Sequence, residues 1–195
     1  GSIGSQTEIW WFYCSSSATE IDRYVVYNYG QQVWYYGTLV RTTWNDRASG
    51  LRSFPQATGT DFYLYDHENG LDDFSTGSRV AINAFVESSD FDIGDGQQFM
   101  LLNRILPDLS FNGSTAANPA ALFTIRSRDF SGDNFTESPS DSAIRTATSP
   151  VEQYTDKIDL RARGRQMSIR VENTATEVKW RLGAPRIDVR PDGRR

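Results

Sequence analysis

The chain has 195 residues, room for one large domain or two small ones, and a 38% apolar share with 11 Phe, 9 Tyr and 5 Trp supports a packed core. Charged residues make up 23% and the net charge is −5, so wholesale disorder is not expected and general DNA binding is disfavoured. A single cysteine, Cys14, excludes an internal disulfide, no window of about 18 apolar residues predicts a membrane span, and the first residues lack a secretory layout.

Strand signals dominate from the start. Residues 8–14 form an aromatic run closed by Ser15-Ser16-Ser17. Residues 23–29 and 33–37 form two more aromatic runs, joined by a short loop containing Gly30, which predicts a β-hairpin. Residues 39–44 continue the meander, and residues 61–65 make a further strand closed by a turn ending at Gly70. The spacing, about ten residues per strand, is that of an antiparallel blade of a β-propeller. One blade cannot bury both faces by itself and needs neighbours.

The pattern then changes. Residues 80–87 alternate, residues 90–96 form a turn-rich break with Gly94 and Gly96, and residues 99–106 are apolar. Residues 121–128 alternate again, and the Ser/Thr/Asp-rich stretch near 129–150 reads as a long polar loop. In residues 157–163 the apolar side chains fall on even numbers; in residues 167–171 they fall on odd numbers. Strand faces repeat every two residues, so the phase slips between the two runs, and Gly164 marks a tight turn or bulge there. Short strands at 178–182 and 186–190 close the chain. The expected architecture is all-β: a propeller-blade-like antiparallel meander over residues 1–75, followed by an antiparallel β-sandwich over residues 76–195.

Charge is uneven along the chain. Residues 1–156 hold 9 basic and 20 acidic side chains, whereas residues 157–195 hold 11 basic and 5 acidic. All but Lys157 and Lys179 of the basic residues are Arg, the residue suited to multi-donor contacts with carboxylates and aromatic faces. An Arg-rich end on an acidic body points to ion pairing, within or between subunits, ahead of phosphate binding. Arg161, Arg163 and Arg165 are the candidate contacts to a neighbouring chain or domain, together with Trp10, Trp11 and Trp34, one face of whose sheet must pack on something outside it.

Little points to catalysis. His67 is the only histidine and lies between Asp66 and Glu68 in a turn, and no Gly-x-Ser-x-Gly elbow occurs. Residues 90–96 resemble a calcium loop only faintly, because Asp95 stands where the EF-hand requires Gly and Leu101 where it requires Glu. No cofactor or metal is expected, and the glycines at 30, 70, 94, 96 and 164 are read as structural turns. Paired carboxylates of a glycosidase are not singled out by any feature. Exposed tryptophans could instead stack on sugars, which makes a carbohydrate-binding β-sandwich for host-surface adhesion the alternative reading.

Several blocks in fixed order resemble the C-terminal part of the tail nozzle proteins (tail tubular protein B) of short-tailed phages. They are Glu8-Ile9-Trp10-Trp11-Phe12-Tyr13, Arg23-Tyr24-Val25-Val26-Tyr27-Asn28-Tyr29, Trp34-Tyr35-Tyr36-Gly37 and Tyr65-Asp66-His67-Glu68-Asn69-Gly70. Glu87-Ser88-Ser89-Asp90-Phe91-Asp92-Ile93-Gly94-Asp95-Gly96, Arg161-Ala162-Arg163-Gly164-Arg165-Gln166-Met167, Trp180-Arg181-Leu182-Gly183-Ala184-Pro185-Arg186 and Arg190-Pro191-Asp192-Gly193-Arg194-Arg195 follow. The resemblance spans nearly the whole chain. It implies a structural, non-enzymatic virion component, a homo-hexameric tube that contacts adaptor and fibre or spike proteins and conducts DNA during ejection. Proteins of that family are much longer than 195 residues, so under the resemblance most of the propeller is absent from this sequence.

Overall fold

The computed structural model describes residues 2–3, 7–46, 54–130, 132 and 146–193. The described elements are all β-strands, paired antiparallel, and no helix occurs among them. The chain divides into an N-terminal unit, Gly1–Gly70, and a C-terminal unit, Leu71–Arg195. That division falls just before the boundary expected at residue 75.

The N-terminal unit opens with β1 (Ser2–Ile3), β2 (Glu8–Tyr13), β3 (Arg23–Asn28) and β4 (Val33–Thr38), which form one sheet in chain order. Aromatic and β-branched residues fill β2, β3 and β4, as a pleated surface favours. The β3–β4 turn is held by Asn28, whose Oδ1 accepts the Gln31 N–H at 2.9 Å. Gln32, not Gly30, takes the left-handed backbone there, at φ 58°. Gly30 is needed for space: a Cβ would stand 2.6 Å from Thr7 Oγ1.

The run at 39–44 does not extend this meander. Its last residues enter β5 (Thr43–Asn45), which pairs with β6 (Gln56–Thr58) and then β7 (Leu64–Asp66) in a separate three-stranded sheet. The fourth position of the first sheet is filled by β1 instead. Strand β6 carries only Gln56, Ala57 and Thr58, too little apolar pattern to announce itself, yet Ala57 is buried under the sheet.

The C-terminal unit holds β8 (Ala84–Glu87), β9 (Met100–Leu106), β10 (Leu109–Ser110), β11 (Ala120–Arg128), β12 (Thr146–Glu152), β13 (Ile158–Gly164), β14 (Gln166–Asn173), β15 (Arg181–Leu182) and β16 (Arg186–Pro191). Four strands order as β12-β11-β14-β8, three as β13-β9-β16, and β10 pairs with β15. One hydrophobic cluster draws on both larger sheets: Met100, Leu102 and Ile105 from β9 and Ile158 from β13 meet Phe123 and Ile125 from β11 and Met167 and Val171 from β14. All eight are nearly or fully buried, and burial of this kind is the main stabilising term.

The polar loop expected near 129–150 ends earlier. From Thr146 the chain is strand β12, whose Ala147 and Val151 pack toward the core opposite Ile125 and Ala121. Residues 133–145 lie outside the described residues. The phase slip at Gly164 is a change of sheet: β13 pairs with β9, and two residues later β14 pairs with β11. Even residues of β13 and odd residues of β14 therefore both reach the core. Gly164 does not adopt positive φ, but a Cβ there would sit 2.9 Å from Ser127 Cβ and 3.0 Å from the Arg128 carbonyl oxygen. A second irregularity sets Leu160 and Arg161 against the single residue Asn103. Against β16 the unpaired residue is Asn103 of β9 itself, between the pairs Asp188–Arg104 and Val189–Leu102, and this bulge shifts the buried phase of β9 from Met100 and Leu102 to Ile105.

Candidate functional site

The adjacent tryptophans of β2 point to opposite faces of their sheet, as strand geometry requires. On the inner face, Trp10 stacks on Tyr24 at 4.8 Å and on Trp44 of β5 at 5.8 Å, with the Tyr35 ring edge-on at 6.3 Å. Trp44 also meets Phe12 and the His67 imidazole. These rings join the two sheets of the N-terminal unit around the fully buried Val26.

A polar group is enclosed in the same layer. Glu8 is 7% exposed, and its carboxylate accepts Trp10 Nε1 at 3.2 Å and Asn28 Nδ2 at 3.4 Å. Tyr35 also hydrogen-bonds to it. Burial first, and then that carboxylate, holds the Tyr35 phenol well above its usual range. Burial likewise raises Tyr24, aided by Glu68 and Glu8. Buried carboxylates need such donors, so this cluster fixes the registry of β2, β3 and β4. The Glu8–Asn28 pairing was not legible in sequence, since the two residues lie 20 positions apart and only the β2–β3 register brings them together.

The outer face is different. Ile9, Trp11 and Tyr13 from β2 and Trp34 and Tyr36 from β4 are exposed, Trp34 at 63% and Tyr36 at 83%. Trp34 stacks on Trp11 at 5.7 Å and on Tyr27 at 4.6 Å. The result is a contiguous aromatic surface on a face where an isolated sheet would carry polar residues. Of the three candidate tryptophans, Trp11 and Trp34 belong to this surface and Trp10 to the interior.

The arginines of the C-terminal strands divide in a similar way. Arg163 lies 4.2 Å from the Phe99 ring centre and pairs with Asp192 of its own unit, donating also to the Asp192 carbonyl at 3.3 Å. Arg165 lies over the same ring at 5.0 Å and over Phe130 at 5.7 Å. Arg161 is exposed at the bulge and has no ion-pair partner among the described residues. On the outer face of the β12-β11-β14-β8 sheet, Glu87 accepts from Arg126 at 3.0 Å and from Arg170 at 2.9 Å, and Arg170 continues to Glu172 at 2.8 Å. Arg170 also covers the Phe85 ring at 3.9 Å.

The turn at 90–96 is tied to neighbouring strands of its own unit. Asp90 pairs with Arg128, the Phe91 N–H donates to the Met167 carbonyl at 2.8 Å, and Gly94 and Gly96 take positive φ. Gly70 also takes positive φ, at 98°. No group of three metal-ligating side chains occurs among the described residues. His67 has its Nε2 accepting from Arg41 Nε, which makes it a packing element of the N-terminal unit. No helix among the described residues is long and apolar enough to cross a membrane.

No protein-family model matches the chain, and no curated protein matches it.

Proposed function

We propose that this chain is a structural component of the tail tube, or nozzle, of a short-tailed bacteriophage, through which the genome is ejected. The observation that carries the reading is the outer aromatic face of the β1–β4 sheet. A four-stranded antiparallel sheet apolar on both faces is suited to stacking between neighbours, as a propeller blade is. In this reading the N-terminal unit is blade-like and the C-terminal unit is a β-sandwich. The ordered sequence blocks that resemble nozzle proteins support it as well. The assembly is then a homo-oligomer, a hexamer by that resemblance, which meets adaptor and fibre or spike proteins in the virion and acts without catalysis. A net charge of −5 suits a conduit along which DNA slides without adhering, because fixed negative charge repels phosphate.

The alternative is carbohydrate binding on the same surface, favoured by the exposure of Trp11 and Trp34. Against it, the Trp34 ring is already engaged by both Trp11 and Tyr27, which reduces the open ring area for a sugar. Negative-stain imaging of the full chain separates the two. Rings or short tubes support the nozzle reading; isolated particles that bind a glycan array with loss of binding in Trp11→Ala replace it.

A further inference from the structure

We propose that the outer face of the β13-β9-β16 sheet docks the carboxylate-rich surface of a second copy of this chain in a head-to-tail contact. The inference rests on the assembly reading above and adds to it the face and the chemistry of the contact. Three side chains cross the middle of this face in register: Asp159 of β13, Arg104 of β9 and Asp188 of β16. Arg104 donates to Asp159 at 2.9 Å, Lys157 lies 3.5 Å from Asp159, and Arg190 lies 3.7 Å from Asp188. That row is internally satisfied. Around it stand Arg161 and Arg186, both exposed and without an ion-pair partner among the described residues.

Counting Arg163 and its partner Asp192 at the end of the sheet, the face holds six basic and three acidic side chains, a net of +3 on a chain whose net charge is −5. The N-terminal unit, with four basic and seven acidic residues, carries −3. Two copies of so acidic a chain repel one another unless faces of opposite sign meet. A two-fold contact would set this positive face against itself, so the favourable arrangement is heterologous: the arginine face of one copy on the acidic surface of the next. Such contacts close into rings or run on as filaments.

A nucleic-acid backbone fits the face less well. A phosphate strand lying across it would meet the Asp159 and Asp188 carboxylates, whose side chains are 59% and 42% exposed. It would also cover Leu106, 42% exposed beside Arg186. Mixed charge with an apolar spot is what a protein surface matches.

The test is sedimentation velocity of the full chain at about 50 and about 500 mM NaCl, concentrations that bracket the range over which exposed charges are screened. The wild type is compared with the double variant Arg161→Glu/Arg186→Glu, and with Arg161→Gln/Arg186→Gln should charge reversal lower the melting temperature. The wild type should associate at low salt and weaken at high salt, and the double variant should associate about tenfold more weakly or worse at low salt. A variant that associates as tightly as the wild type overturns the docking face and leaves the assembly reading standing. A wild type that is monomeric throughout removes both. A duplex DNA oligomer that binds the wild type but not the variant, with self-association unchanged, overturns the inference and assigns the face to nucleic acid.

Discussion

His67 accepts a hydrogen bond from Arg41, Nε to Nε2, at 3.0 Å. A protonated imidazole has no lone pair to accept it, so this geometry holds the ring neutral. Burial, with the nearby Arg41 charge second, lowers the His67 pKa to about 4 from an ordinary 6.5. The unfolded chain therefore takes up this proton first as the pH falls. The stability linked to His67 is complete above about pH 6.5 and declines as the pH drops toward about 4. Thermal melts followed by tryptophan fluorescence should show that decline in the wild type, and His67→Gln should flatten it. An unchanged slope in the variant would show that other groups carry the pH dependence.

Trp10 and Trp34 occupy opposite faces of one sheet, and their replacement should separate folding from assembly. Trp10→Ala opens a gap between Tyr24, Trp44 and Tyr35 and should cost about 2–4 kcal/mol in urea denaturation. Trp34→Ala removes an exposed ring and should cost about 1 kcal/mol, the worth of its stacking contacts. It should nevertheless weaken self-association. Equal stability losses would mean that the outer face is packed in the free chain.

Gly164 lies where the chain leaves one sheet for the other. A methyl group there meets the Ser127 side chain and the Arg128 backbone within 3.1 Å, and backbone cannot rotate aside. Gly164→Ala should cost about 1–3 kcal/mol through strain alone, measured as a lower denaturation midpoint with an unchanged slope. A neutral substitution would show that the β13–β14 turn is looser than this close approach implies.

Glu87 joins Arg126 and Arg170 across three strands, and all three side chains are partly exposed. Pairs in that setting contribute little each, so Glu87→Gln should destabilise by about 0.5–1 kcal/mol, and the difference should shrink in high salt. A loss several times larger would mark the ladder as a buried network.

The alternating burial of Trp10 and Trp11 was legible in the sequence, because adjacent strand residues must face apart. So was the break in phase at Gly164, although the change of sheet behind it was not. Strand β12 was missed because its inward residues are as small as Ala147 and its neighbours are Thr, Ser and Pro. The partners of Arg163 and Arg165 were equally hidden. Phe99 and Asp192 are far away in sequence, and only the pairing of β9 with β13 and β16 brings them to the same edge. That closure within one unit is why the exposed basic surface is made by Arg161, Arg186 and Arg190, residues whose charge was visible but whose neighbours were not.

Self-assembly of this chain is read out by its solution mass, measured by light scattering over a range of protein concentrations. The mass should rise with concentration to a ring-sized multiple of the 22.0 kDa chain and fall when salt is raised. A mass fixed at 22.0 kDa at every concentration and salt level would contradict self-assembly.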